Sequence, residues 1–330
     1  MKRKKFDLYS GNGNAIAKNA FSTAMLVVVL STLSACGGGS DSDEVESLPE
    51  SPETSTFSLA VSDAPVDYAS EVVVYFDQIE LTGNGEAKVF DVRDENDEPK
   101  KIDLLTLGGD SFEQILGETE IPAGDYGQLR LTVTDESYIV MDDGTFPLTV
   151  PGSELKLDGF TAQPGVEEAY TVEFDLRRSL VDPQGQQSVF LKPRGVRLVS
   201  NDNVGTITGI VSEVLITAPE CSVKMDAAQG NAVYLYEGHN LEMAVLGDDA
   251  DSQGTDTEIR PVSVTDVIYD DADRNHHFNI GFVPSGEYTM AFTCLALYDE
   301  PETDEDQNFL IQVTQEVTVE SQNNVEVTIE

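Results

Sequence analysis

Residues 121–133 read IPAGDYGQLRLTV, and residues 283–294 read VPSGEYTMAFTC. In each, Pro and Gly make a turn, an acidic residue follows, and a tyrosine starts a run of alternating apolar and polar side chains. Proline fixes φ and removes a donor, glycine frees the backbone, and period-two alternation marks a strand with one buried face. The two stretches are read as one hairpin start, used twice in separate parts of the chain.

The same texture extends outward from both. FSLAVS (57–62), EVVVYFDQIEL (71–81), AKVFDV (87–92), SYIVM (137–141), AYTVEFDL (169–176) and GVRLVS (195–200) are short strand-like runs. Turn residues separate them, among them Gly83-Asn84-Gly85, Asp142-Asp143-Gly144, Pro151-Gly152 and Pro183-Gln184-Gly185. Many short strands with such punctuation predict an antiparallel sandwich or barrel. One segment, SFEQILG (111–117), is predicted to be a short helix closed by Gly117. A second block opens with GTITGIVSEVLI from Gly205 and closes with FLIQVTQEVTVESQNNVEVTIE. The expected fold class is therefore all-β: two tandem antiparallel β-sandwiches, Ig-like or transthyretin-like, at 57–200 and 205–330, joined by a linker at 201–204.

The N-terminal region has a different character. A basic start, MKRKK, precedes the uncharged run AMLVVVLSTL (24–33), which is too short for a mature membrane-spanning helix and the right length for the apolar part of a signal peptide. Leu33-Ser34-Ala35-Cys36 resembles the lipobox of bacterial lipoproteins. That resemblance implies cleavage after residue 35 and acylation of Cys36 with fatty chains such as palmitate. Two or more chains give stable anchoring where one is marginal. Gly37 stands where an inner-membrane retention signal would carry Asp, so the implied address is the outer membrane, with the membrane as a lipid-mediated partner. Residues 36–56, rich in Gly, Ser and acids, read as a lipidated cysteine and a flexible acidic tether.

The chain carries 61 acidic and 19 basic residues, a net charge of −42; without residues 1–35 the balance would be 60 against 14, or −46. Nucleic acid and anionic headgroups want clustered Lys and Arg, so neither is an expected partner. With 40% hydrophobic residues the chain can bury real cores and is not a disordered segment.

Residues 57–200 resemble the bacterial family known as domain of unknown function 4382. The stretches that carry the resemblance are FSLAVSDAP, KIDLLTL with QILGE, IPAGDYGQLRLTV, and the pair FDLRRSLV and FLKPRGVRLV. It implies a secreted or lipid-anchored β-sandwich and brings no catalytic residues. Residues 205–329 are similar to transthyretin-like domains of the carboxypeptidase-regulatory type, through the opening Gly205-x-Ile207-x-Gly209-x-Val211 and the late FNIGFVPSGEYT. The acidic insertion at 248–257 departs from that pattern.

Few residues carry candidate chemistry. Cys221 and Cys294 are the two thiols left after lipidation, and in an exported chain they are expected to form a disulfide. His276 and His277 follow Asp270, Asp271 and Asp273 in YDDADRNHHF, so these three acids are the candidate calcium ligands. Adjacent strand residues point to opposite faces, which argues against both imidazoles reaching one ion. The acidic runs at 91–98, 247–251 and 298–306 lack the EF-hand order and read first as solvated faces, so no cofactor is expected apart from calcium as an open alternative. His239 completes the histidines. Neither a nucleophile elbow nor a phosphate-cradling glycine loop is present. The leading functional expectation is a non-catalytic binding or structural module of the cell envelope, with an envelope protein or glycan as partner. An envelope hydrolase acting on sugars or peptides and a calcium-dependent adhesion module are the two alternatives.

Overall fold

The computed structural model describes residues 53–64, 66, 68–181, 188–248, 258–299 and 309–330. The signal segment, Cys36, nearly all of the tether and the acidic insertion at 249–257 lie outside the described residues. The fold is all-β, with four sheets that do not close into a barrel.

The first block pairs two sheets. A four-stranded sheet has Thr54–Ala64 and Glu167–Asp175 at its centre, flanked by Glu113–Pro122 and Val196–Ser200. The facing nine-stranded sheet is built around the long strand Ala69–Thr82, which pairs with four different neighbours along its length. Between them lies one continuous core that includes Phe57, Val74, Phe76, Leu129, Leu131 and Phe174. The first strand begins at Thr54, so the last residues of the expected tether are already in the sheet.

In the second block, the sheet of Ile268–Asp270, Asn275–Pro284, Val204–Val211 and Asn324–Ile329 packs against that of Ser263–Asp266, Ala232–Glu237, Gly286–Thr293 and Val313–Val319. Ala232–Glu237 is buried on both faces. Val233 and Leu235 enter the core between the sheets, whereas Tyr234 and Tyr236 enter an outer cluster with Leu246, Val264 and Ile311. This explains a continuous apolar run where a one-sided strand would alternate. The two blocks keep separate cores and separate sheets, yet both lie in one compact unit, Glu50–Glu330.

Two expectations are corrected. Residues 111–117 are not a helix: Glu113–Pro122 is a strand that pairs antiparallel with Thr54–Ala64, with Ile115 and Ile121 buried. Pairing with a central strand outweighs the helical spacing of Phe112, Ile115 and Leu116. The repeated Pro-Gly-acid-Tyr stretch is also not a hairpin. Glu113–Pro122 and Gly124–Val133 belong to different sheets of the first block, and Asn275–Pro284 and Gly286–Thr293 to different sheets of the second. Each stretch turns the chain across its sandwich, because proline ends the ladder on one sheet and the next residues restart on the other. At Gly124 the turn takes φ +138°, closed to a residue with a Cβ.

The tyrosine closes each corner. Tyr126 Oη donates to the Pro122 carbonyl at 2.9 Å, and Tyr288 Oη donates to the Pro284 carbonyl at 2.8 Å. Both rings are buried, and Tyr126 stacks on Phe160 with ring centroids 5.2 Å apart. A Phe at either position keeps the ring and loses one buried hydrogen bond. Tyr126→Phe and Tyr288→Phe should each cost about 1 kcal/mol in urea unfolding. The corners lie in different blocks, so the double variant should cost about the sum. A double variant as stable as the parent would show that the hydroxyls do not hold the corners.

Candidate functional site

The most chemically loaded region is the junction between the blocks. Thr54–Ala64 and Glu167–Asp175 run parallel, with Ser62 opposite Glu173 and Ala64 opposite Asp175. From Thr171 onward the second of these strands is buried on both faces. Val172 and Phe174 face its own core, and the alternate positions Thr171, Glu173 and Asp175 are polar and buried. Asp175 then caps the short helix Leu176–Ser179 by accepting from the Arg178 backbone N–H at 3.2 Å.

That helix sends two arginines into the second block. Arg177, only 7% exposed, donates to Asp266 Oδ1 at 2.8 Å and to the Ala296 carbonyl at 3.4 Å. Arg178 donates to the Pro261 carbonyl at 3.3 Å. Arg197 forms an ion pair with Glu173. Opposite, Asn275–Pro284 lies against the turn after Leu107. A Cβ on Gly281 would fall 2.1 Å from the Gly109 carbonyl oxygen, so glycine is required for this approach. Asp63, Glu173, Ser263, Thr265 and Asn279 line a small cavity of about 10 Å³ there.

Burial pushes the Asp63 carboxyl well above the ordinary carboxylate range, and the neighbouring acids Asp175, Glu173, Asp266 and Asp103 push it the same way. Burial also raises Glu173 to about 7, against the pull of the Arg197 guanidinium. The junction's arginines lie in FDLRRSLV and FLKPRGVRLV, and their signal in the sequence is that Arg177, Arg178, Arg194 and Arg197 gather in one short span of an otherwise acid-rich chain.

Of the residues singled out in the sequence, Cys36 lies outside the described residues. Cys221 and Cys294 form a disulfide, with Cα atoms 5.8 Å apart, and the Gln312 side-chain amide donates to both sulfurs at 3.0 and 3.2 Å. Asp270 and Asp273 come together with His277 closely enough that their ligand atoms lie within 4.8 Å of one another, but Asp271 is not part of this group. Asp270 accepts from the Ala272 N–H, and Asp273 from the Asn275 N–H, the Asn275 amide and His277. The Asn275 side chain, and then His277, hold the Asp273 carboxyl below its usual range. These bonds tie down the exposed hairpin between Ile268–Asp270 and Asn275–Pro284. The two imidazoles do diverge. His277 meets Asp273, whereas His276 is buried and contacts Glu213 at 2.8 Å. His239 sits apart, 3.0 Å from the Val317 carbonyl oxygen. Glu213, Thr217, Tyr269, Asp273 and His276 line an open groove of about 790 Å³, with the Tyr269 ring 5.0 Å from that of His276.

The Glu173 shift has a signed consequence. Between its ordinary value of 4.5 and about 7, the folded chain holds a proton that the unfolded chain releases. Stability therefore falls as pH rises through that window and levels above it. The contribution is up to about 3 kcal/mol, and Asp63 acts in the same direction. In metal-free buffer, the unfolding free energy should fall between pH 5 and pH 8, and Glu173→Gln should flatten that slope. An unchanged slope in the variant would show that Glu173 is not the titrating group.

Several solved structures are similar at low identity. A leucine-rich repeat protein from Bacteroides thetaiotaomicron is 11% identical, with 84% of this chain and 26% of that one covered and a TM-score of 0.23. The minor pilin of Streptococcus agalactiae is 10% identical over 83% of this chain and 94% of that one, with a TM-score of 0.18. A fimbrial protein from Bacteroides ovatus is 9% identical over 85% and 49%, with a TM-score of 0.19. The chain spans about a quarter and a third of the first two structures it matches, the second being the TIE protein of Bacillus anthracis. No curated protein matches the chain. Residues 54–193 match the family described as Domain of unknown function (DUF4382), which takes in the strand pair, the helix and the arginines Arg177 and Arg178 that build the junction.

Proposed function

We propose that the protein is a non-catalytic binding or structural module of the cell envelope, held at the outer membrane by acyl chains on Cys36. Its second block is read as transthyretin-like, and an envelope protein or glycan is the proposed partner. The observation that carries the reading is where the perturbed carboxylates lie. Asp63 and Glu173, whose shifts would suit acid–base chemistry, face a cavity of about 10 Å³ between the blocks, room for a single water and for no substrate. The open face offers recognition chemistry instead. The groove beside Tyr269 and His276 has exposed Ile268 (66%) and Val214 (75%) next to its lining residues, a mixture of aromatic, aliphatic and acidic groups. Among the described residues no helix is long and apolar enough to cross a membrane, and lipid on Cys36 is the proposed anchor.

The gathering of Asp270, Asp273 and His277 supports a second reading, calcium-dependent adhesion through that exposed hairpin.

The anchoring reading is tested by expressing the full chain and its Cys36→Ser variant in a Gram-negative host. The parent should fractionate with the outer membrane and show a mass increase of two or three acyl chains on the new N-terminal peptide. The variant should be unprocessed or released. An unmodified Cys36 thiol in the membrane-fractionated parent would overturn the anchor.

A further inference from the structure

Asp63 is 2% exposed, and neither carboxylate oxygen has a hydrogen-bond partner among the described residues. Asn279 Oδ1, from the second block, is likewise buried and unpartnered, and both residues line the small cavity between the blocks. Three buried acceptor oxygens thus meet one space. The nearby donors are committed elsewhere: the Ser62 hydroxyl to the carbonyls of Leu107 and Ser111, the Thr265 hydroxyl to the Asn279 carbonyl, and the Asn279 amide nitrogen to Asp110 at 3.4 Å. The cations are committed as well. Arg197 pairs with Glu173, Arg177 with Asp266 and the Ala296 carbonyl, and Arg178 with the Pro261 carbonyl. The charges that act most strongly on Asp63 are all negative. Asp175 and Glu173 stand on the neighbouring strand, Asp103 precedes the Leu104–Leu107 turn, and Asp266 belongs to the second block.

An ionised Asp63 would need donors, and Asn279 is the side chain that could turn to supply one. Turning its amide over would set Oδ1 against the Asp110 carboxylate and would still leave a buried charge among four other acids. A water in the cavity could donate to both residues, but it would leave the same charge in place. A single proton on Asp63 settles the whole group. It removes the charge and gives Asn279 Oδ1 a donor. The second Asp63 oxygen becomes a neutral acceptor, which the Ser263 hydroxyl in the same wall can serve. Burial and the surrounding acids favour the same protonation state.

We propose that Asp63 is carried as the neutral acid and that its O–H donates to Asn279 Oδ1 across the cavity, so that one proton links the first block to the second and the junction loosens as pH rises. The link lies beside the close approach of Gly281 to Gly109, which lines the same cavity. The sign follows from exposure. When the junction opens, Asp63 meets water and releases its proton, so each rise in pH makes opening easier.

The test uses the detergent-purified full chain and infrared difference spectra of the parent against Asp63→Asn at about pH 8, above the range in which Glu173 titrates. The parent should show the carbonyl stretch of a protonated carboxylic acid that the variant lacks. In Asn279→Leu, which fills a similar volume without an acceptor, that band should move to higher frequency. Hydrogen exchange reads the junction itself. At about pH 10 the backbone of residues 275–284 should exchange about tenfold faster in the parent than in Asp63→Asn, whose side-chain amide can donate to Asn279 at every pH. Should Asp63→Asn fail to fold, loss of the parent's band at alkaline pH and its shift in Asn279→Leu carry the comparison. Absence of the band at about pH 8 would show an ionised Asp63 and overturn the proposal. So would a band that Asn279→Leu leaves unmoved, or equal exchange in the parent and Asp63→Asn at alkaline pH.

Discussion

In the parallel ladder between Thr54–Ala64 and Glu167–Asp175, Asp63 stands opposite Phe174 and Ala64 opposite Asp175, so both strands leave their sheet at one end. Parallel partners need a long crossover. Here the crossover contains most of the nine-stranded sheet, whose strands from Ala69–Thr82 to Glu154–Ala162 lie between the two in sequence. An antiparallel pair would have sent Asp63 and Asp175 to opposite ends. Because the ladder is parallel, Asp63, Asp175, the helix that Asp175 caps and the arginines that follow all emerge together, against the second block.

The junction is therefore polar, and its energetics differ from those of either core. Burying an ion pair such as Arg177 with Asp266, whose side chains are 8% and 10% exposed, costs desolvation that the attraction roughly repays. Removing one partner is the expensive step, about 3–5 kcal/mol, because it strands the other charge. Such contacts add little net stability but penalise misplacement heavily. An apolar junction would let the blocks slide by a residue at small cost. Here a slip would separate Arg177 from both Asp266 and the Ala296 carbonyl, and would drive Gly281 away from its fit on Gly109. Position is specified more strongly than affinity.

How much of this could be read in the sequence varies with the physics. One-sided strands announced themselves by alternation, as in QLRLTVT, and the disulfide by counting thiols. Residues 111–117 misled because seven residues cannot distinguish a short amphipathic turn from a strand that pairs on a central neighbour. The corner stretches were legible as a repeated device, since Pro, Gly and Tyr each have a local role. Their crossing from sheet to sheet was not, because that depends on partners far away in the chain. The junction was the least legible part. Glu173 in AYTVEFDL alternates as a solvent-facing residue would, yet in the fold it is buried, paired with Arg197 and facing a cavity that it shares with Ser263 and Asn279 of the second block. Alternation identifies the face, and tertiary packing decides whether that face meets water.

The two blocks also solve their own stability differently. The first gathers its apolar side chains into one large cluster and has no cysteine among its described residues. The second divides its apolar side chains between the space within its sandwich and an outer layer around Tyr234 and Tyr236. A divided core of small clusters buries less surface per residue and leaves the block closer to the margin. The disulfide spans 73 residues there and lies in the inner cluster, with Cys221 and Cys294 both buried, and closing a loop of that length contributes about 4 kcal/mol in the entropic account. It also joins the Pro219–Val223 turn to the end of Gly286–Thr293, on the strand that starts at the Tyr288 corner. Ala296, two residues beyond Cys294, accepts from Arg177. The covalent tie that compensates for the divided core thus also steadies the backbone on which the first block's arginine docks.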